Sequence, residues 1–572
     1  MLETEIQNRV KSWLDGNYDE ETKNEVRRMS ERELIDAFHK DLEFGTGGMR
    51  GIMGAGTNRI NKYTVGAVTQ AFADYLKQCF PDEEIKIVIA HDSRHNSSFL
   101  AGVIADVLTA NDIFVYAFMG IRPTPELSFA IRHLACKGGI MLTASHNPRE
   151  YNGYKAYWDD GAQIVEPHDS NILKALDNIK SVEQINFKGK QDKVKLIGRD
   201  IDEIYLNKVC QSVIAKNSVK RQKDLKIVYT PLHGTGIALV PYLFQMLGFE
   251  NVHCVASQSE PNGDFPTVES PNPEDKDALT LAIHEAQKID ADVVLANDPD
   301  ADRIGVVAKD SNGEYVLLNG NQTGTLIMAY LIKMWRQFGK INNRQMIVKT
   351  IVTTDLLDKI ARTNEVICIN TLTGFKHIAS VIRKYEGNLE YIAGCEESFG
   401  YMIGSYVRDK DGISACATIA EITAYAKERG MSLVDMLIEI YREYGFYLED
   451  LISITKKGIS GAREISEMME NFRKNPPVSL AGSKVVKKLD YLTSVETDLT
   501  DGREYKIDLP KSNVLQFITE DGSKVSARPS GTEPKIKFYF SVNTNLESKD
   551  DYLKTKIFLS EKIRRIQKDL GL

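Results

Sequence analysis

Three aspartates alternate in 297-NDPDADR-303: Asp298, Asp300 and Asp302 follow directly on the apolar run 293-VVL-295. Carboxylates at i, i+2 and i+4 of an extended loop can converge on one hard cation, and an all-oxygen set suits Mg²⁺. With no cation they repel one another, so a metal or a cationic neighbour is expected. The loop is not an EF-hand, because its sixth position is Arg303 and its twelfth Lys309. A solvated acidic turn is the other reading of the same spacing.

A second stretch, 142-LTASHNPREYNGYK-155, sets Ser145 beside His146 at the end of another apolar run. A serine needs activation to act as a nucleophile, and the G-x-S-x-G elbow is absent. Neighbours along an extended chain point to opposite faces, so the dipeptide alone argues against a direct Ser145–His146 pair. A turn built by Asn147 and Pro148 is the alternative. In 526-SARPSGTEPKIK-537, Arg528, Ser530, Thr532, Lys535 and Lys537 surround Gly531. Arginine forks, hydroxyls and backbone N–H groups beside a glycine make a phosphate cradle, although a plain surface turn has the same composition. In 394-GCEESFGYMIGSYVRDKDG-412, Glu396 and Glu397 with Ser398 could accept hydrogen bonds from vicinal sugar hydroxyls, and Arg408 and Lys410 follow. The glycines of 43-EFGTGGMRGIMGAG-56 allow close backbone approach to a ligand, with Arg50 available for a phosphate. Gly374 and Lys376 in 370-NTLTGFKHIA-379 complete the set.

The elements that must position these loops are short β-branched runs, each cut off by a polar or glycine-rich loop and usually followed by a helical stretch. Examples are 86-KIVIAHDSR-94, 226-KIVYTPLHGTG-236 and 346-MIVKTIVTTD-355. That rhythm reads as α/β units, in which ligands collect at the carboxyl ends of the strands. Ser145, the aspartates and Glu396 all fall there. The expected organisation is an N-terminal helical extension (1–40), three α/β domains (41–200, 201–315 and 316–450), a linker or boundary (451–485, around Pro476-Pro477) and a smaller C-terminal α+β domain (486–572).

The 572 residues suggest about four domains. A formal net charge of −8 argues against nucleic acid or an anionic membrane as partner. The seven cysteines are scattered and never form CxxC, which points away from disulfides and zinc and toward a reducing compartment. The N-terminal segment is too charged for a signal peptide and no apolar run approaches 18 residues, so a cytoplasmic protein is expected.

The order of the motifs resembles the α-D-phosphohexomutase superfamily, the phosphoglucomutase and phosphomannomutase enzymes, from about residue 41 onward. The resemblance rests on FGTGGMRG (44–51), TASHNP (143–148), DPDADR (298–303), GCEESFG (394–400) and RPSGTEPK (528–535). The stretches 261-PNGDFPTVESPNPE-274, 319-NGNQTG-324 and 371-TLTGFK-376 look most like the longer phosphoglucomutase-2-type branch. It implies three similar mixed-sheet α/β domains and a smaller C-terminal domain around a central active-site cleft. It implies phosphorylated Ser145 as the phosphoryl carrier, with one Mg²⁺ held by Asp298, Asp300, Asp302 and the Ser145 phosphate. It also implies Lys410 as general acid/base with His146 as competitor, and Arg50, Lys155 and Arg303 beside the reacting phosphate. Glu396 and Ser398, with Gly374, Lys376 and Arg408, would contact the sugar phosphate. Arg528, Ser530, Gly531, Thr532 and Lys535 would hold the phosphate that is not reacting. The expected reaction is interconversion of glucose 1-phosphate and glucose 6-phosphate through glucose 1,6-bisphosphate. Mannose or pentose phosphates, bisphosphate synthesis and metal-dependent phosphatase action are the alternatives. GTGG in place of GTSG, and CEESFG in place of GEESGH, bear on which sugar is preferred.

Overall fold

The computed structural model of the chain describes residues 3–45, 48–310, 312–456, 458–530 and 535–572, with the side chains of 458–460 left aside. The chain divides into two compact units. One holds the chain up to Lys309 with Gly313–Leu318 and Phe399–Gly430; the other holds Asn319–Ser398 and Met431–Leu572.

In the first unit, the expected helical extension is three short helices, Thr4–Asp15, Glu20–Arg28 and Glu31–Phe38. Ser30 and Glu33 form a capping box at the start of the third. Ile6, Trp13, Val26 and Phe38 close a small core over Tyr63.

The first sheet has six strands, in the order Gly48–Ile52, Tyr151–Trp158, Gly138–Leu142, Lys86–His91, Phe114–Phe118 and Val194–Ile197. It is mixed: Lys86–His91 runs parallel to both of its neighbours, while Tyr151–Trp158 lies antiparallel to Gly138–Leu142. Every residue of Gly138–Leu142 is buried, as expected of a strand covered by helices on both faces. The serine loop, 143–150, therefore joins two antiparallel strands at the carboxyl end of a buried one.

The second sheet repeats the arrangement with five strands: Tyr315–Leu318, Ile304–Lys309, Val293–Asn297, Ile227–Thr230 and Val252–Cys254. Val293–Asn297 is fully buried and pairs antiparallel with Ile304–Lys309, Asn297 facing Ile304. The six residues 298–303 that connect them carry the aspartates. Helix Gly412–Lys427 packs against this sheet and is buried along its whole length except Lys427. Its position brings the 399–411 segment, with Arg408 and Lys410, into the first unit.

In the second unit, Gln345–Thr350 is flanked by the parallel strands Ile367–Thr371 and Glu390–Cys395. The last sheet is antiparallel throughout, in the order Phe446–Thr455, Lys535–Thr544, Lys524–Pro529, Leu515–Thr519, Ser483–Asp490, Val495–Asp498 and Glu504–Lys506, with Ser479–Leu480 added on Ser483–Asp490. The stretch 451–485 is not a linker in this arrangement. Phe446–Thr455 pairs along its length with Lys535–Thr544, and helix Gly458–Lys474 packs on the same sheet. The Pro476-Pro477 pair follows the end of that helix, because proline cannot continue one. Among the described residues no helix is long and apolar enough to cross a membrane.

Candidate active site

Ser145 has φ +50°, a left-handed conformation that a non-glycine residue adopts at a cost of about 1–2 kcal/mol. The turn this makes brings His146 Nδ1 to 3.3 Å from Ser145 Oγ. The expectation that the two would point apart is thereby corrected, because it assumed an extended chain. Burial, reinforced by Arg303, Arg50 and Arg94, holds the His146 pKa well below its ordinary value.

Two groups fasten the turn. Thr143 Oγ accepts the Ser145 N–H at 2.8 Å. Arg94, whose side chain is wholly buried, donates to three carbonyls of the loop and to that of the first strand residue after it: Ser145 at 2.7 Å, Pro148 at 2.8 Å and Asn147, then Tyr151 at 3.0 Å. Gly153, in the facing strand, passes so close that a Cβ there would stand 2.5 Å from the Thr143 carbonyl oxygen. Ser270 Oγ donates to the His146 carbonyl at 2.9 Å, and Arg50 donates to Asn147 Oδ1 at 2.9 Å.

Ser145 Oγ donates to Asp298 Oδ2 at 2.7 Å, which joins the serine loop to the aspartate loop. Asp298, Asp300 and Asp302 are all buried, and each places one carboxylate oxygen within 4.8 Å of those of the others. Asp298 Oδ1 accepts the Arg303 N–H at 3.1 Å. Asp300 Oδ2 accepts from Thr124 Oγ1 at 2.7 Å and from Lys155 Nζ at 2.6 Å. Asp302 Oδ2 faces Lys155 at 3.2 Å and Lys410 at 3.0 Å. The remaining oxygens, Asp300 Oδ1 and Asp302 Oδ1, are buried with no hydrogen-bond partner.

Burial, followed by repulsion from Asp300 and Asp302, pushes the Asp298 carboxyl well above the usual range. Burial works the same way on Asp302, but Lys410, Lys155 and Arg303 outweigh it and hold that carboxyl far below the range. Two orphaned buried oxygens in an all-carboxylate cluster fit a hard divalent cation. Among the described residues this is the one such cluster of three.

The other residues expected at the site divide between the two units. In the first, Arg303 pairs with Glu274. Lys410 lies 3.2 Å from Asp409 Oδ1, and Asp409 Oδ2 in turn accepts from Tyr157 at 2.8 Å. Arg408 is buried, its N–H on Ser128 Oγ and its Nη1 on the carbonyls of Ser405 and Val407, so it supports the loop that carries Lys410.

In the second unit, Glu396 is buried and Oε1 accepts the N–H of Gly374 at 2.7 Å, which ties 394–398 to the start of helix Phe375–Tyr385. Ser398 and Lys376 are half-buried in the same two segments. Arg528 faces this region. Burial first, then Lys376 and Arg528, lowers the His377 pKa to about 4. Burial raises that of Glu397 against the pull of Lys537 and Arg528. The exposed Ser530 donates its N–H to the Lys535 carbonyl at 2.7 Å. Gly531 and Thr532 lie outside the described residues.

Arg94, Thr143, Thr124, Ser270, Glu274 and Tyr157 were not singled out in the sequence. Arg94 had one signal, since 86-KIVIAHDSR-94 ends at the same edge of the sheet as the serine loop.

Family models for phosphoglucomutase/phosphomannomutase α/β/α domains I, II and III match residues 41–183, 203–313 and 319–444. A phosphoglucomutase of Staphylococcus haemolyticus is 37% identical over 508 residues, covering 89% of this chain and 91% of its own. One from Staphylococcus epidermidis is 38% identical over 536 residues, covering 93% and 96%. Among solved structures, the Paramecium phosphoglucomutase pp63/parafusin in its open form matches with a TM-score of 0.69 at 20% identity, covering 93% of this chain and 97% of its own. A phosphoglucomutase/phosphomannomutase family protein of Burkholderia thailandensis matches with a TM-score of 0.65 at 20% identity, over 92% and 97%. These two structural likenesses speak for the fold.

Proposed function

Because this chain belongs to the phosphoglucomutase/phosphomannomutase family, we propose that it interconverts glucose 1-phosphate and glucose 6-phosphate by way of a phosphate carried on Ser145. It is an isomerase that works by phosphoryl transfer. The observation that carries the reading is the 2.7 Å hydrogen bond from Ser145 Oγ to Asp298 within the buried aspartate cluster.

In the first transfer the Ser145 Oγ–phosphorus bond breaks and a bond from a sugar hydroxyl oxygen to the same phosphorus forms, the hydroxyl proton passing to a base. The sugar bisphosphate then turns over. Its other phosphate returns to Ser145, and the freed sugar oxygen takes back a proton. Glucose 1,6-bisphosphate supplied from outside would phosphorylate Ser145 by the reverse of the first step.

Such transfer depends on positioning and charge neutralisation more than on covalent help. Asp298, Asp300 and Asp302, with an oxygen on Ser145, would hold Mg²⁺, which neutralises charge on the transferring group. Lys155 and Lys410 keep Asp300 and Asp302 fixed, and Arg50 and Arg303 bring positive charge beside Ser145. Two groups are placed to move the proton. Lys410 lies against Asp302 and Asp409, and His146, kept neutral by its surroundings, has a ring nitrogen beside Ser145 Oγ. Glu396 and Ser398, near Gly374 and Lys376, would take sugar hydroxyls. Arg528, Ser530 and Lys535, with Gly531 and Thr532, would take the second phosphate.

The test is initial rates with glucose 1-, mannose 1- and ribose 1-phosphate, with Mg²⁺ and a trace of the matching bisphosphate, for wild type and Ser145→Ala. Preference for glucose 1-phosphate, lost in the variant, is expected. Release of inorganic phosphate with no isomerised sugar would overturn the reading in favour of a phosphatase.

A further inference from the structure

Arg94 touches no group that the reaction changes, yet its guanidinium is spent on one loop. Nη1 donates to the carbonyls of Pro148 and Tyr151, and Nη2 to those of Ser145 and Asn147. Asp92 lies 3.3 Å from Nε and the Phe265 ring 5.0 Å from Cζ, so the group is held from behind as well. Thr143 takes the N–H of Ser145 on the other side. The peptide groups before and after Ser145 are thus both fixed, and these are the groups that set its φ of +50°. Released from them, a serine relaxes toward φ below zero, and Oγ leaves its place against Asp298.

We infer that Arg94 and Thr143 are positioning residues for phosphoryl transfer, holding Ser145 in its left-handed conformation so that Oγ is aimed at the aspartate cluster. The inference rests on the reading of Ser145 as phosphate carrier. Arginine suits the task because four carbonyls need a planar fork; a lysine ammonium has three donors on one atom. As the Oγ–phosphorus bond breaks and the sugar oxygen–phosphorus bond forms, the oxygens must be in line, and a misplacement of about 1 Å costs on the order of 10²-fold in rate.

The test compares Thr143→Val, Thr143→Ser, Arg94→Lys and Arg94→Met with wild type. The readouts are kcat and KM for glucose 1-phosphate, the mass of the intact chain after incubation with glucose 1,6-bisphosphate, and thermal melting. The Arg94 variants should lose about 10²-fold in kcat and Thr143→Val about 10-fold, each with KM within about threefold of wild type. Thr143→Ser, which keeps the hydroxyl, should stay within about threefold in both. A role in stability alone would lower melting and leave kcat per folded molecule unchanged, and that result would overturn the inference. So would a Thr143→Val with wild-type kcat, which decides the matter even if the Arg94 variants do not fold. A wild type that neither isomerises sugar phosphates nor takes up phosphate on Ser145 would overturn the carrier reading and the inference with it. A working wild type beside unaffected variants would overturn the inference alone.

Discussion

Each unit of the molecule buries a cluster of charge, and the two clusters are neutralised in different ways. In the first unit Asp298, Asp300 and Asp302 converge, and two of their oxygens accept no hydrogen bond. In the second unit Asp355 lies between Lys349, from strand Gln345–Thr350, and Lys524, from strand Lys524–Pro529. Lys349 spends its ammonium on Asp355 at 3.2 Å, Asp358 at 3.0 Å and the Thr353 carbonyl at 3.2 Å. Lys524 spends its own on Asp355 at 2.6 Å and the Ile351 carbonyl at 3.2 Å. Burial disfavours ionised Asp355, yet the two lysines hold its pKa down at about 2. A cluster whose lysines sit directly against its aspartates joins two sheets. One in which three carboxylates converge and two of them keep a buried oxygen free of hydrogen bonds offers ligands to a cation. Burial and charge alone would not have told the two apart.

The widest separation between the clusters is in catalysis. Ser145→Ala should lower the mutase rate by at least ~10³-fold, since the phosphoryl acceptor is gone, and cost stability no more than ~1 kcal/mol for one hydrogen bond. A coupled assay for glucose 6-phosphate and a melting curve check both. Asp355→Asn should do the reverse. It keeps an oxygen that can accept from Lys524 but removes the negative charge that the two buried lysines share, and because Asp355 is itself 38% exposed the loss should be near the lower end for a broken buried pair, about 3 kcal/mol. Rate per folded molecule should hardly change. If Asp355→Asn abolished activity without loss of stability, the contrast between a functional and an architectural cluster would be lost.

These two clusters also differ in how readable they were. The aspartates could be read because the whole cluster comes from one loop at alternate positions, and Ser145 because its motif stands in a known order with the others. Lys349, Asp355 and Lys524 are spread over about 170 residues and carry no pattern of their own. Arg94 escaped for the same reason. Its four acceptors are backbone carbonyls more than 50 positions away, and no side-chain type marks a carbonyl. The placing of His146 failed on one torsion angle: a period-two argument does not survive a residue at φ +50°. The alternation of strands and helices, by contrast, follows from apolar runs and was legible from about residue 86 onward. Pro476-Pro477 misled because a helix end and a domain boundary attract the same residues.

Metal addition sharpens the comparison further. A ligand present at ~100 times its Kd stabilises the folded chain by about 2.7 kcal/mol. Mg²⁺ should therefore raise the melting temperature of wild type and of Asp355→Asn alike, and should have no effect on Asp302→Asn. Chelation with EDTA should remove both the shift and the activity, and Mg²⁺ should restore them. Equal Mg²⁺ shifts in Asp302→Asn and wild type would place the cation elsewhere.

The smallest effect tests the second cluster from within. Glu449, on strand Phe446–Thr455, has a buried Oε1 with no hydrogen-bond partner, and burial, aided by Asp355, pushes its pKa up to about 7. The folded chain then holds a proton that the unfolded chain has released, so stability is full below pH 4.5 and falls as pH rises toward 7. Between pH 5 and 7.5 that fall amounts to ~2 kcal/mol from this group. Glu449→Gln, neutral at every pH, should match wild type near pH 5 and exceed it by ~2 kcal/mol at pH 7.5 in urea denaturation. Other titrating groups cancel in the difference between the two proteins. A difference independent of pH would mean that Glu449 is charged in the folded chain. Lys349 and Lys524 would then balance three carboxylates rather than two, and the second cluster would carry an unmet negative charge.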